Sequence, residues 1–333
     1  MNLIDLCLNT RKDGLDKVKQ CLASGVDVNY MIHHKTALMA AAINSNTIST
    51  ESTVQLLIDA GADLEARNCI GETILSQVVR HVRTTSTLAT VIMLLNAGAD
   101  VNSYDTYYGK TVLSNAICSG AKADLINILF NAGADISDEL FDAFAYYVDH
   151  KNKETTIIRM LIAAGADIEY KDAAGITVLF NVIDSAFHHK DDSINEIINI
   201  IDILLNAGAD VNSQNNDLET VLMYASSGHH ISIVKILLDA GADINCKDCD
   251  GLTALIRAVM EDKATEEIVK LLINAGADTT DVFKHAHKDN HKILYECLVL
   301  PGKLAFGLGQ RDSQSIVSKL PWEICKVILD FVK

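Results

Sequence analysis

The sequence predicts an all-α solenoid, and three observations carry that prediction. The tetrapeptide Ala-Gly-Ala-Asp occurs seven times, ending at Asp63, Asp100, Asp135, Asp167, Asp210, Asp243 and Asp278, with a Gly25-Val26-Asp27 relic ahead of the first. The recurring glycines, from Gly25 to Gly276, lie 36, 37, 35, 32, 43, 33 and 35 residues apart, which marks stacked copies of one small unit rather than one globular core. Composition agrees: 49% of the residues are apolar but only 5% aromatic, which suits thin layers of Leu, Ile, Val and Ala between copies.

Each copy reads as turn, helix, loop, helix. Ahead of each glycine runs an apolar stretch at helical spacing, such as Ile233-Val234-Lys235-Ile236-Leu237-Leu238-Asp239-Ala240, and the glycine can take the left-handed conformation that ends a helix. Phrases such as Asp210-Val211-Asn212 follow, whose side chains bond nearby backbone and favour turns. Thr36, Thr73, Thr111, Thr177, Thr220 and Thr253 are then placed to cap the next short apolar helix, as in Ala254-Leu255-Ile256-Arg257-Ala258-Val259.

Gly251-Leu252-Thr253-Ala254-Leu255, taken with Ile268-Val269-Lys270-Leu271-Leu272-Ile273-Asn274-Ala275-Gly276-Ala277-Asp278, resembles the ankyrin repeat, and the resemblance extends over residues 1–300. It implies about nine helix-loop-helix repeats joined by hairpin fingers, with a target protein held on a concave face. The chain departs from the family's Thr-Pro-Leu-His box. Ala37, Ile74, Val112, Val178, Val221 and Ala254 replace Pro, and Met39, Ser76, Ser114, Phe180, Met223 and Ile256 replace His. Proline preorganises a helix start and that histidine ties neighbouring repeats, so these copies are expected to be less stable than consensus ones.

Two repeats look atypical. After Asp135 the chain enters Ser137-Asp138-Glu139-Leu140-Phe141 with no room for a full finger, and the widest glycine gap, from Gly165 to Gly208, holds Phe187-His188-His189-Lys190-Asp191-Asp192-Ser193, read as a long loop between helices. The first unit, from about Asn2 to Gly25, and the last, from Asp281 to Leu300, lack the full motif, as end units that show one face to water do.

Charge narrows the partners. Lys plus Arg is 28 against 44 Asp plus Glu, a formal −16, and no element carries a basic run. Nucleic acid and anionic membrane surfaces both demand clustered cations, so neither is expected as a partner, whereas a protein with a basic patch is. No apolar run reaches the ~20 residues that span a bilayer, and Met1-Asn2-Leu3-Ile4-Asp5 lacks a secretory start, so a soluble, cytoplasmic protein is expected, in the host cytosol or nucleus if it comes from a pathogen.

Catalytic and metal chemistry find no support in the residues. The eight cysteines are scattered, which fits free thiols in a reducing compartment, and Cys246-Lys247-Asp248-Cys249 is half a zinc site without its second half. His285 and His287 are expected on different faces of one helix, with His291 opening the next, so no metal is expected there. There is no phosphate loop after a strand and no G-x-S-x-G elbow, and Gly307-Leu308-Gly309 is an isolated fragment. A non-enzyme without a cofactor is expected.

The composition changes at Pro301-Gly302-Lys303, which opens a Gly- and Ser-containing linker over 301–315. In 316–333, Pro321 suits the first helical position and Glu323 the positive first turn, while Ile324, Val327, Ile328 and Phe331 fall on one helical face. The run Leu320-Pro321-Trp322-Glu323-Ile324, followed by Ile328-Leu329, resembles the opening of an F-box, the module that binds the Skp adaptor of cullin-RING ubiquitin ligases. Its shortness resembles the PRANC arrangement, in which ankyrin arrays of poxviruses and some intracellular bacteria close on a truncated F-box. The resemblance implies that Leu320, Pro321, Ile324, Ile328 and Leu329 enter the adaptor, with Trp322 and Glu323 at its edge. The expected function is a non-catalytic substrate-recruiting adaptor. The alternative is a scaffold or steric inhibitor whose last helix caps the solenoid.

Overall fold

The computed structural model describes residues 2–297 except 10–13, 46–50, 83–85, 138, 150–154, 189–193, 229, 261–264, 281, 288–289, 291–292 and 295–296. The linker 301–315 and the adaptor residues Leu320, Pro321, Trp322, Glu323, Ile324, Ile328 and Leu329 therefore lie outside the described residues. The described part is all helical, with isolated bridges in place of strands. It divides into two compact units, 1–167 and 168–333.

The first unit holds five helix pairs: α1 (Leu3–Asn9) with α2 (Gly14–Ala23), α3 (Ala37–Ile43) with α4 (Glu51–Asp59), α5 (Ile74–His81) with α6 (Leu88–Asn96), α7 (Val112–Cys118) with α8 (Ala123–Asn131), and α9 (Glu139–Asp149) with α10 (Thr156–Ala163). First helices pack on first helices, from α1 through α3, α5 and α7 to α9. The second unit repeats the scheme with α11 (Val178–His188) and α12 (Ile194–Asn206), α13 (Val221–Ser227) and α14 (Ile231–Asp239), and α15 (Ala254–Met260) and α16 (Glu266–Asn274), followed by α17 (Val282–His285). Here α11, α13, α15 and α17 pack in order.

The core follows from helical spacing. The seven-residue α7 has its first six residues buried and so lies within the layer, whereas the nine-residue α8 buries only Leu125, Ile126 and Leu129, at i, i+1 and i+4. Each repeat is too thin to bury its own apolar face, so stability comes from its neighbours. The same layering accounts for Cys7, which is fully buried and whose thiol is pushed up to about 12 by that burial and then by nearby Cys21.

All six threonines cap as expected. Each side-chain oxygen accepts the backbone N–H three residues on, from Met39 to Thr36 at 3.2 Å through Ile256 to Thr253 at 3.4 Å. The glycines that end the second helices, Gly98 among them at φ +95°, sit in the left-handed region. The aspartate that follows such a glycine also holds its turn, as where Asp100 Oδ1 accepts the Asn102 N–H at 2.9 Å and Asp243 Oδ1 that of Asn245 at 2.9 Å.

The asparagine two residues after that aspartate reaches the next repeat. Asn102 donates from Nδ2 to the Gly133 carbonyl at 3.1 Å and accepts the Asp135 N–H on Oδ1 at 2.8 Å. Asn29, Asn212 and Asn245 make the same pair of bonds to Gly61 and Asp63, Gly241 and Asp243, and Gly276 and Asp278. Glu65 and Glu169 stand in the same place and accept the Asp100 and Asp210 N–H at 2.9 and 2.8 Å. Ser137 replaces asparagine after Asp135 and turns back instead, its hydroxyl donating to Asp135 Oδ1 at 2.6 Å. This bond and the Ser137 N–H hold the Asp135 carboxyl below its usual range.

Ties between first helices also stand where the family's histidine is missing. Asn115 Nδ2 of α7 donates to Ser76 Oγ of α5 at 2.8 Å, and beside this tie the α5 cap Thr73 shares a bond of 2.9 Å with Ser103 in the turn that precedes the next finger. At the shortened finger after Asp135, α9 starts at once and Glu139 is buried, accepting the hydroxyls of Thr111 at 2.6 Å and Ser114 at 2.9 Å.

Two expectations need correction. Phe187 and His188 belong to α11 rather than to a loop, and much of the wide glycine gap is taken up by longer helices, 11 residues in α11 and 13 in α12; residues 189–193 lie outside the described ones. α17 is a single turn ending at His285, so His287 lies beyond it and donates its N–H to the Val259 carbonyl of α15 at 2.9 Å. His291 lies outside the described residues.

Candidate protein-binding surface

In the first unit the hairpin fingers carry what the helices bury elsewhere. The first finger closes on a bridge between Ile32 and Lys35, and His33 and His34 at its tip are both left-handed, as a two-residue hairpin turn requires. This puts Tyr30, 59% exposed, and Met31 into solvent.

In the second finger Asn68 Oδ1 accepts the N–H of Ile70 and of Glu72, both at 3.0 Å, and Gly71 makes the turn. Glu72, almost fully buried, is held by Asn68 and by an ion pair with Arg80. Arg67 leans out of this finger, donating from Nη1 to the Gly71 and Tyr104 carbonyls at 2.6 Å each, with its guanidinium 5.8 Å over the Tyr104 ring.

The third finger is one residue longer between its Asx residue and the residue before the cap: Asp105 to Lys110 against Asn68 to Glu72. That insertion displays Tyr107 and Tyr108, 70% and 65% exposed, beside Tyr104 at 58%. The Tyr107 and Tyr108 rings meet edge to face, 4.6 Å between centroids at 80°. Beneath them Asp105 is fully buried; its Oδ1 accepts the Tyr108 N–H at 2.5 Å, and among the described residues Oδ2 has no hydrogen-bond partner.

Tyrosine, methionine and arginine are the residue types enriched at protein interfaces, and isolated in solvent they gain little by exposure. Sequence reasoning passed over these tyrosines because each finger was read only as a turn. The available signal was Tyr104-Asp105-Thr106-Tyr107-Tyr108, three rings in five residues of a chain that is 5% aromatic.

Among the described residues, the second unit exposes less aromatic surface, and Leu218 is its one non-glycine residue in the left-handed region. Leu218 occupies the position of Gly71, Gly175 and Gly251, each at φ +77°, yet takes φ +61° and is 47% exposed. A leucine there loses about 1–2 kcal/mol to steric strain. Leu218→Gly is therefore expected to raise the urea unfolding free energy by about 0.5–1 kcal/mol, the larger unfolded-state entropy of glycine offsetting part of the gain. A destabilised variant would show that the leucine packs to advantage in the folded chain.

Stacked helix pairs that lay capped fingers side by side define a repeat solenoid that works as a protein-interaction scaffold. Two segments match ankyrin-repeat models: a model of three ankyrin-repeat copies matches residues 193–282, and a single ankyrin-repeat model matches 33–69. Of 490 solved chains that match, one is the human ASB11 ankyrin repeat domain, 21% identical over 74% of this chain and 100% of that one, with a TM-score of 0.53. No curated protein sequence matches the chain. The ankyrin fold is typically a non-catalytic interaction domain, and the family models that match are of this repeat alone. Among the described residues no helix is long and apolar enough to cross a membrane.

Proposed function

We propose that this protein is a non-catalytic substrate receptor: its fingers hold a target protein, and its C-terminal segment recruits the Skp adaptor of a cullin-RING ubiquitin ligase. The observation that carries the gripping half is the exposed trio Tyr104, Tyr107 and Tyr108 beside Arg67 on adjoining fingers. The recruiting half is supported by the F-box-like run of Leu320, Pro321, Trp322, Glu323, Ile324, Ile328 and Leu329. In this reading ubiquitin transfer is carried out by partners in the host cytosol or nucleus, and the chain contributes proximity alone.

The experiment is a pull-down of purified Skp adaptor by the full chain and by Pro321→Asp/Ile324→Asp. The wild type is expected to retain the adaptor, and the double variant to lose it with circular dichroism and melting nearly unchanged. Should neither chain bind, and the variant melt well below the wild type, the last helix seals the solenoid and the protein is a scaffold or steric inhibitor.

A further inference from the structure

We propose that the finger bearing Tyr107 and Tyr108 recognises arginine side chains on an extended segment of the target protein. The inference rests on the reading of the fingers as the gripping surface and adds the chemistry of what they grip. Both rings are more than half exposed, and their edge-to-face contact leaves ring face open to solvent. An open tyrosine face carries negative potential and attracts a cation, and a planar guanidinium stacks on it better than an ammonium does.

The chain already makes this contact once with its own residues, where Arg67 lies 5.8 Å over the neighbouring Tyr104 ring. That arginine is held by the Gly71 and Tyr104 carbonyls at 2.6 Å, so it is committed to its place between the fingers. The ground beneath the open pair is negative. Asp105 holds the Tyr108 turn through one oxygen while the other has no partner among the described residues. Lys110, the cation nearest in sequence, directs its ammonium to Cys118 Sγ at 2.8 Å and Asp142 Oδ1 at 3.4 Å. At the finger bases Asp63, Glu65 and Asp100 are exposed, and each is fixed by a turn or inter-repeat hydrogen bond. A net charge of −16 adds long-range attraction for a basic segment.

The test titrates the full chain with a disordered Gly/Ser decapeptide carrying three arginines, and with counterparts carrying norleucine or glutamate in their place, while the tyrosine-ring resonances are followed. The arginine peptide is expected to shift the Tyr107 and Tyr108 signals and to bind at least tenfold more tightly than the norleucine peptide, weakening as salt rises. Tyr107→Ser/Tyr108→Ser should lose about tenfold, and Tyr107→Phe/Tyr108→Phe, which keeps the ring faces, should retain binding. Equal or tighter norleucine binding would make the surface an apolar dock, glutamate binding would make Arg67 the recognition group, and arginine binding indifferent to the serine variant would place the site elsewhere; each overturns the proposal. If the serine variant drops a target that arginine peptides do not displace, the fingers still grip and only the arginine chemistry fails.

Discussion

Replacing Arg257 with methionine is expected to lower the unfolding free energy by about 3 kcal/mol, read from urea denaturation by circular dichroism. Its guanidinium joins two carboxylates from adjoining fingers: Nε and Nη2 donate to Asp248 Oδ2 at 2.9 and 2.6 Å, and Nη2 meets Glu219 Oε1 at 2.6 Å. The Asp248 side chain is fully buried and that of Glu219 is 13% exposed, so removing the cation leaves two like charges with little water to receive them. The Arg257 side chain is itself 26% exposed, which keeps the effect at the lower end of what a broken buried pair costs. Asp248→Asn in the methionine background should recover at least ~1 kcal/mol. It removes one stranded charge, while an amide oxygen can still accept the Asp250 and Leu252 N–H that Asp248 Oδ1 now takes at 2.9 and 2.8 Å. Asn68 and Asn215 fill the same position in their own fingers, each accepting turn N–H groups in this way. A change below ~0.5 kcal/mol for Arg257→Met would mean that water already screens the cluster.

The second large effect separates two glycines with the same left-handed backbone. At Gly71, φ +77°, an added Cβ would collide with the Thr106 side chain and come within 2.8 Å of the Thr106 backbone nitrogen on the next finger. At Gly241, φ +88°, nothing lies within 4 Å of an added Cβ. Gly241→Ala thus carries strain alone, about 1 kcal/mol, whereas Gly71→Ala adds displacement of a neighbouring finger and should reach about 3 kcal/mol. The comparison is made on thermal and urea midpoints of the two variants. Equal losses would mean that the fingers part freely, and that their stacking adds little to the fold.

How much of this could be read from the chain varies residue by residue. The helix-ending glycines and the capping threonines act within three or four residues of themselves, so their roles were legible without neighbours. Asn102 was legible as a turn former only, because its partners Gly133 and Asp135 lie a repeat away in sequence and arrive beside it only on stacking. The same limit hid the replacement ties at Ser76 and Ser114. The missing histidines pointed to weaker joints, and nothing local indicated that Asn115 and Glu139 would come within hydrogen-bond range. The tyrosines of the third finger were visible as residues but not as a surface. Whether a ring in a turn is buried depends on finger length and on the neighbour it leans against.

The sequence alone determined the repeat, its period, its helix starts and stops, and its acidic, aliphatic character, because all of these arise from interactions within one unit of some 35 residues. Tertiary structure alone decided which polar groups join one unit to the next, which acids are buried, and which aromatic rings are left in solvent. The joints between units depend on distances between residues 25 or more apart in the chain, and such distances are set only once the units are stacked.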